Sequence, residues 1–191
     1  MPSNPDAEDL PHDHARIEVH VGELKQLFNS FDPTPFRERD LDPRAEEFIA
    51  GWASELHAEE PLGLVVHVDG PAPSRDEVAV LPEAVREFFK QRAVMTRRRL
   101  RQLLRVGRTS LLIGVAALAV SIALGDLLAN LTSDGRLGGL LRESLLIGGW
   151  VAMWRPLEVF LYDWWPILAE ARRFDRLSEM TVQVVPSAAR H

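Results

Sequence analysis

The apolar run Thr109–Gly125 constrains the fold of this chain more than any other feature of its sequence. It contains seventeen uncharged, mostly apolar residues, and the apolar character continues past Asp126 to Leu131. A helix of roughly 20 such residues crosses the hydrocarbon core of a bilayer. Apolar residues occupy every face of the run and charges flank it, which disfavours the core helix of a soluble protein. We therefore predict a transmembrane helix over residues 109–131.

A second, less pure segment follows after a short polar connection. Ser144–Trp154 carries few polar groups, but charged residues interrupt the stretch that continues beyond it. Next to a first spanning helix, this segment is typical of the returning limb of a hairpin. The sequence predicts a periplasmic loop over residues 132–143 and a second transmembrane helix over residues 144–165.

The distribution of arginine predicts the orientation of this hairpin. An excess of Lys and Arg marks the cytoplasmic side of a membrane protein. The residues that precede the first span form the basic juxtamembrane segment 96–108, and Arg172, Arg173 and Arg176 follow the second span. We expect a multi-pass protein of the bacterial inner membrane with both termini in the cytoplasm. We also expect six arginines to contact anionic lipids at the cytoplasmic face: Arg97, Arg98, Arg99, Arg101, Arg105 and Arg108.

The charge of the chain changes sign between its two halves. Residues 1–87 hold 20 acidic and 7 basic residues, whereas residues 88–191 hold 8 acidic and 15 basic residues. Such asymmetry indicates contact with a membrane or a nucleic acid. The arginines adjoin an apolar segment, so we favour the membrane and predict no nucleic-acid partner. The chain has no cysteine, which excludes disulfides, thiolate metal sites and a cysteine nucleophile.

The polar remainder predicts a small cytosolic domain over residues 16–95, preceded by a disordered tail at 1–15. Alternation at 17–21 and a β-branched apolar run at 62–68 each predict a strand. Helical spacing predicts a short helix over 24–31 and a long one that begins at Pro82. A further helix follows the cap Asp42, with a predicted buried stripe of Phe48, Ile49, Trp52, Ala53 and Leu56.

The C-terminal part, residues 166–191, is predicted to return to the cytosol with a strand at 180–185. We expect this strand to complete a sheet of about three strands, and a flexible tail is the alternative. The fold class is thus α+β: a transmembrane helical hairpin and a small cytosolic α/β domain whose last strand comes from the C-terminus.

Small residues at spacings of three and four run along one face of each predicted span. They let helix backbones approach closely in lipid, although their general abundance in membrane helices explains the pattern equally well. The candidate packing residues are Gly114, Ala117, Ser121 and Gly125 on the first span, and Gly148 and Ala152 on the second.

Three ionisable residues in the second segment need a physical explanation: Arg155, Glu158 and Asp163. Charges inside a span are costly and are commonly paired, and Glu158 lies three residues from Arg155. They could line an ion path or a contact between subunits. Alternatively, the span begins further upstream, so that these residues lie at the inner interface and Arg155 extends to lipid phosphates.

Two sequence stretches resemble a family of uncharacterised bacterial membrane proteins with two spans. The first is DPTPFRERDLD, from Asp32 to Asp42; the second runs from MWRPLE at Met153 to FLYDWWP, which ends at Pro166. The resemblance covers most of the chain from Ile17 to Val185. It implies an inner-membrane context and brings no reaction, cofactor or functional residue.

Motifs for catalysis are mostly absent from the sequence: it has no glycine-rich phosphate loop, HExxH or GxSxG. His12 and His14 could bind a metal, but a chance pair is favoured, and we interpret His20 and His67 as ordinary strand residues. We therefore predict no metal site, no cofactor and no catalytic residue.

Three functional hypotheses remain open. The first is a membrane-anchored binding or scaffold module that presents an acidic surface to a cytosolic protein partner. The second is a subunit of a homo-oligomeric channel or transporter with Arg155, Glu158 and Asp163 inside. The third is a membrane-bound enzyme that uses groups near His57, His67, Asp40 and Asp42.

Overall fold

The computed structural model describes residues 15–29, 39–56, 60–132 and 135–186. The chain is mostly helical, with a small parallel sheet of three strands and two long apolar helices. It divides into two compact units. The α/β unit comprises Met1–Met95 and Glu170–His191, and the helical unit comprises Thr96–Ala169.

The sheet of the α/β unit is parallel throughout and has the order β1-β2-β3. Its strands are β1 (Ala15–Val21), β2 (Leu62–Val68) and β3 (Thr181–Pro186). The three-stranded sheet is as predicted, including the last strand from the C-terminal segment. In the register, Ile17 lies beside Leu64, and Leu64 lies beside Val182.

The two faces of this sheet differ in chemistry. β2 is the central strand, paired with β1 on one edge and β3 on the other, and it is buried at every position except His67. Ile17, Leu64 and Val182 belong to the hydrophobic core of the unit. Since side chains alternate along a strand, Glu18, His20 and His67 lie on the opposite face, which we call the open face.

Helix α1 (Pro43–Glu55) begins as the sequence predicts. Asp42 Oδ1 accepts a hydrogen bond from the Arg44 backbone N–H at 2.9 Å, and proline occupies the first turn. Ile49 and Ala53 are fully buried.

The predicted buried stripe of α1 is wrong at two positions. Phe48 is 45% exposed and Trp52 is 47% exposed. Ile49 and Ala53 are four residues apart and face the core directly, so the residues that precede each of them are rotated by about 100° toward the surface.

Helix α2 (Arg75–Leu131) begins seven residues before the predicted start at Pro82. Ser74 and Glu77 form a capping box, because the Ser74 N–H donates to Glu77 Oε2 at 3.0 Å and the Glu77 N–H donates to Ser74 Oγ at 3.2 Å. The hydrogen bonds that the Ser74 N–H and hydroxyl donate to the Glu77 carboxylate lower the pKa of Glu77. Pro82 lies inside the helix rather than at its start.

The segment after β1 forms a 3₁₀ helix over Leu24–Leu27, shorter than the predicted helix over 24–31. Phe28 then forms an isolated antiparallel bridge with Leu41, which ends the helical conformation. The rest of that prediction, residues 30 and 31, lies outside the described residues, as do the tail at 1–14 and the DPTPF motif.

The helical unit contains the second half of α2 and three further elements: α3 (Gly135–Glu158), a π-helix (Val159–Asp163) and the start of α4 (Trp164–Ser178). Residues 135–143 of the predicted periplasmic loop 132–143 are helical. Packing explains this result: a Cβ atom at Gly138 would lie 3.1 Å from Ala129 Cα, so glycine at 138 permits helical packing where its propensity alone disfavours a helix.

Candidate functional site

The helical unit exposes an unusually apolar surface. Two helical segments, Arg75–Leu131 and Gly135–Ser178, are long and apolar enough to cross a membrane. In the most apolar stretch of each segment, little is buried: 11% in the first segment and 17% in the second. Leu112 and Val151 are exposed by 73% and 68%. These helices contact each other along a narrow strip and leave most of their apolar surface free.

Small residues of α2 form one side of that strip. Gly114 and Gly125 are buried, and Ala117 and Ser121 are partly buried. A Cβ atom at Gly114 would lie 3.2 Å from the carbonyl oxygen of Ala152. Pro156 lacks the N–H that would normally bond to this carbonyl. Gly114 therefore allows α2 to approach α3 closely at the point where Pro156 removes one backbone hydrogen bond of α3.

On α3 the strip is rotated by one residue from the prediction. Gly148 is exposed, and a Cβ atom there would contact nothing within 4 Å beyond its own helix backbone, whereas Gly149 is buried. A Cβ atom at Gly149 would lie 2.8 Å from Leu118 Cδ1 and 3.2 Å from Ser121 Cβ. Gly149 therefore replaces Gly148 as the packing residue, because the contacts at Gly125 and Gly138 fix the rotation of α3. Ala152 is exposed and contributes its carbonyl oxygen.

The structure brings the three predicted ionisable residues together. Arg155 Nη1 lies 3.0 Å from Glu158 Oε2 and 3.6 Å from Asp163 Oδ2. The Arg155 side chain is nevertheless 68% exposed. Glu158 immediately precedes the π-helix and Asp163 is its last residue; such wide turns are frequent at functional sites. The group is a surface cluster of the helical unit rather than a buried path through it.

Exposed basic and aromatic residues flank the apolar surface. Trp165 and Tyr162 are exposed, and the Trp164 indole N–H donates to the Phe160 carbonyl at 2.9 Å. All six arginines of the juxtamembrane segment have exposed side chains: Arg97, Arg98, Arg99, Arg101, Arg105 and Arg108.

The α/β unit holds a polar cluster that the sequence analysis did not single out. The rings of His20 and His67 stack with centroids 4.5 Å apart, and Glu18 Oε2 lies 3.8 Å from His67 Nε2. On the other side, Asp69 Oδ2 lies 3.8 Å from His20 Nδ1. His20 and His67 are paired positions of β1 and β2. The sequence alone does not give the register of two strands, so it did not reveal that these histidines are neighbours.

Arg92 of α2 contacts residues of two other helices in the α/β unit. Its Nε donates to Glu46 Oε1 at 2.6 Å, and its guanidinium lies 5.9 Å from the ring centroids of both Phe88 and Phe174. Glu46 is only 15% exposed. Asp42, proposed above as a catalytic group, serves as the cap of α1. His57 lies outside the described residues.

No protein-family model, curated protein or solved structure matches this chain. The resemblance through the DPTPF and MWRPLE motifs stays a prediction.

Proposed function

We propose that this chain is a membrane-anchored binding module of the bacterial inner membrane. Its helical unit inserts as a hairpin, and its α/β unit binds a cytosolic protein. The observation that carries the proposal is the exposed apolar surface of α2 and α3. In water, contiguous apolar patches of more than a few hundred Å² are rare on monomeric proteins, and a helix that is apolar on all sides requires burial in protein or lipid.

The flanking residues support the same anchoring. The exposed juxtamembrane arginines suit the phosphates of anionic lipids on the cytoplasmic side. Tyr162 and Trp165 have the amphipathic rings that collect at membrane interfaces. Arg155 fits this interface as well, since its long side chain is exposed and can extend to lipid phosphates.

The binding role is supported by the surface of α1. Phe48 and Trp52 are both exposed, and their ring centroids lie 6.2 Å apart. Exposed aromatic pairs are efficient anchors in protein interfaces. Glu47 and Glu55 lie on the same helix, within the acidic half of the chain. A partner with basic residues around an apolar pocket fits this surface best.

One membrane preparation tests both parts of the proposal. A photo-cross-linking residue replaces Trp52, and the membranes are washed with alkaline carbonate, which releases peripheral proteins. We expect the chain to stay in the pellet and to form a discrete adduct that Phe48→Ser weakens. Lys90, an exposed residue of the same unit, is the control position for the cross-linker. Release by carbonate would refute the anchor; equal adducts at both positions would refute the α1 surface as the binding site.

A further inference from the structure

A second candidate site lies on the open face of the sheet, and it shares no residue with the surfaces on which the proposed function depends. Glu18, His20 and His67 each offer one ligand atom, and these three atoms lie within 4.8 Å of one another. We infer that this face binds a divalent transition-metal cation of the Zn²⁺ class through these three side chains.

The backbone fixes the spacing of these ligands. His20 and His67 are register partners on adjacent strands, which lie about 4.8 Å apart. Glu18 precedes His20 by two residues and therefore lies on the same face, about 7 Å along the strand. An arrangement built on paired strands holds its ligands more rigidly than one built on a loop. Only rotations of the side chains are needed to bring the three ligand atoms around one ion.

The state of His67 is the observation that most favours a ligand. Its Nε2 atom is buried and has no hydrogen-bond partner among the described residues. The nearby Glu18 carboxylate, at 3.8 Å, is too distant for a hydrogen bond. Buried polar atoms without a partner are rare in native proteins and require an explanation. A cation between Nε2 and the carboxylate would satisfy both groups.

Asp69 lies beside His20, and a small rotation of either side chain would bring its carboxylate within hydrogen-bond distance of the ring. The Asp69 N–H donates to the Val21 carbonyl at 2.9 Å, which extends the strand pairing by one residue and places its carboxylate near His20 Nδ1. Histidines that ligate metals commonly donate the other ring N–H to a carboxylate. His20 would therefore use Nε2 toward the ion, as would His67.

The donor set selects the class of cation. Two imidazoles and one carboxylate suit Zn²⁺ and its first-row neighbours, whereas Ca²⁺ and Mg²⁺ prefer oxygen ligands. Glu18 and His20 are exposed by 58% and 61%. Three protein ligands on such an open face leave coordination positions for water, as in zinc sites that accept an exogenous ligand.

Calorimetric titration of the full chain with ZnCl₂ tests the inference. The protein is purified in detergent, freed of any affinity tag and stripped of metal with a chelator. We expect one ion per chain. Glu18→Gln and His20→Gln should each raise the Kd at least about tenfold, and Asp69→Asn should raise it by about tenfold through His20. Glu18 and His20 are both exposed, so the variants at these two positions should fold. Thermal melts without metal check this.

The tail histidines provide the matched control. The double variant His12→Ala/His14→Ala removes the other candidate pair and should leave the Kd unchanged. Titration with Co²⁺ adds a spectroscopic readout, since imidazole coordination changes the visible absorption of this ion. Absence of binding in the unaltered chain would overturn the inference. Binding that survives His20→Gln, or that the tail variant abolishes, would overturn it as well.

Discussion

Two arginines of this protein, Arg155 and Arg92, form ion pairs with carboxylates, and they differ in how exposed those pairs are to solvent. Arg155 has two carboxylate partners but lies on the surface of the helical unit. Arg92 pairs with Glu46, which is largely buried. Loss of an arginine therefore has different consequences at the two positions, because only Glu46 would remain as a buried group without its partner.

This contrast gives a prediction for the ion pair of the helical unit. Arg155→Lys and Glu158→Gln should each change the free energy of unfolding by only about 0–1 kcal/mol, as is usual for exposed pairs. Arg92→Ala should cost about 1–3 kcal/mol, because it strands a buried acceptor. Denaturant titrations in detergent micelles measure all three. A loss at Arg155 as large as that at Arg92 would instead support a buried polar path and the channel hypothesis.

At the scale of elements, the sequence predicts well those features that depend on local chemistry. It predicts the strands from alternation and apolar content, and the start of α1 from Asp42 and Pro43. It fails where contacts distant in sequence decide the outcome. The rotation of α1 that exposes Trp52 follows from the core, and the cluster of His20 and His67 follows from the strand register. The missed capping box at Ser74 was local and could have been recognised from its S-x-x-E pattern.

The rotation of α3 leads to a prediction at adjacent positions. Gly149→Val should destabilise the helical unit by about 1–3 kcal/mol through overpacking, because its side chain would meet Leu118 and Ser121. Gly148→Val is the matched control, since a side chain there meets open space. Unfolding of both variants in mixed micelles measures the difference. Leu118→Ala should restore part of the stability of Gly149→Val; equal effects at 148 and 149 would contradict the observed rotation.

At the scale of the whole molecule, the sheet restricts how the chain can cross a membrane. β2 precedes the apolar helices in sequence and β3 follows them, yet the two strands are paired in parallel. Paired strands must lie on the same side of a membrane. A chain that inserts its helical unit must therefore cross an even number of times. This conclusion agrees with the orientation predicted from arginine, although it depends on hydrogen bonding and not on charge.

The absence of cysteine makes this topology directly testable. Single variants Lys90→Cys, Leu137→Cys and Arg172→Cys report on three exposed positions: before, between and after the predicted spans. A membrane-impermeant maleimide added to bacterial cells with a permeabilised outer membrane should label only position 137. Lysis should add labelling at positions 90 and 172, because the proposed topology places both on the cytoplasmic side. Labelling of position 172 in unlysed cells would mean that the second segment does not cross. Since positions 90 and 172 would then lie on opposite sides, it would also exclude the pairing of β2 with β3 in the membrane-inserted protein.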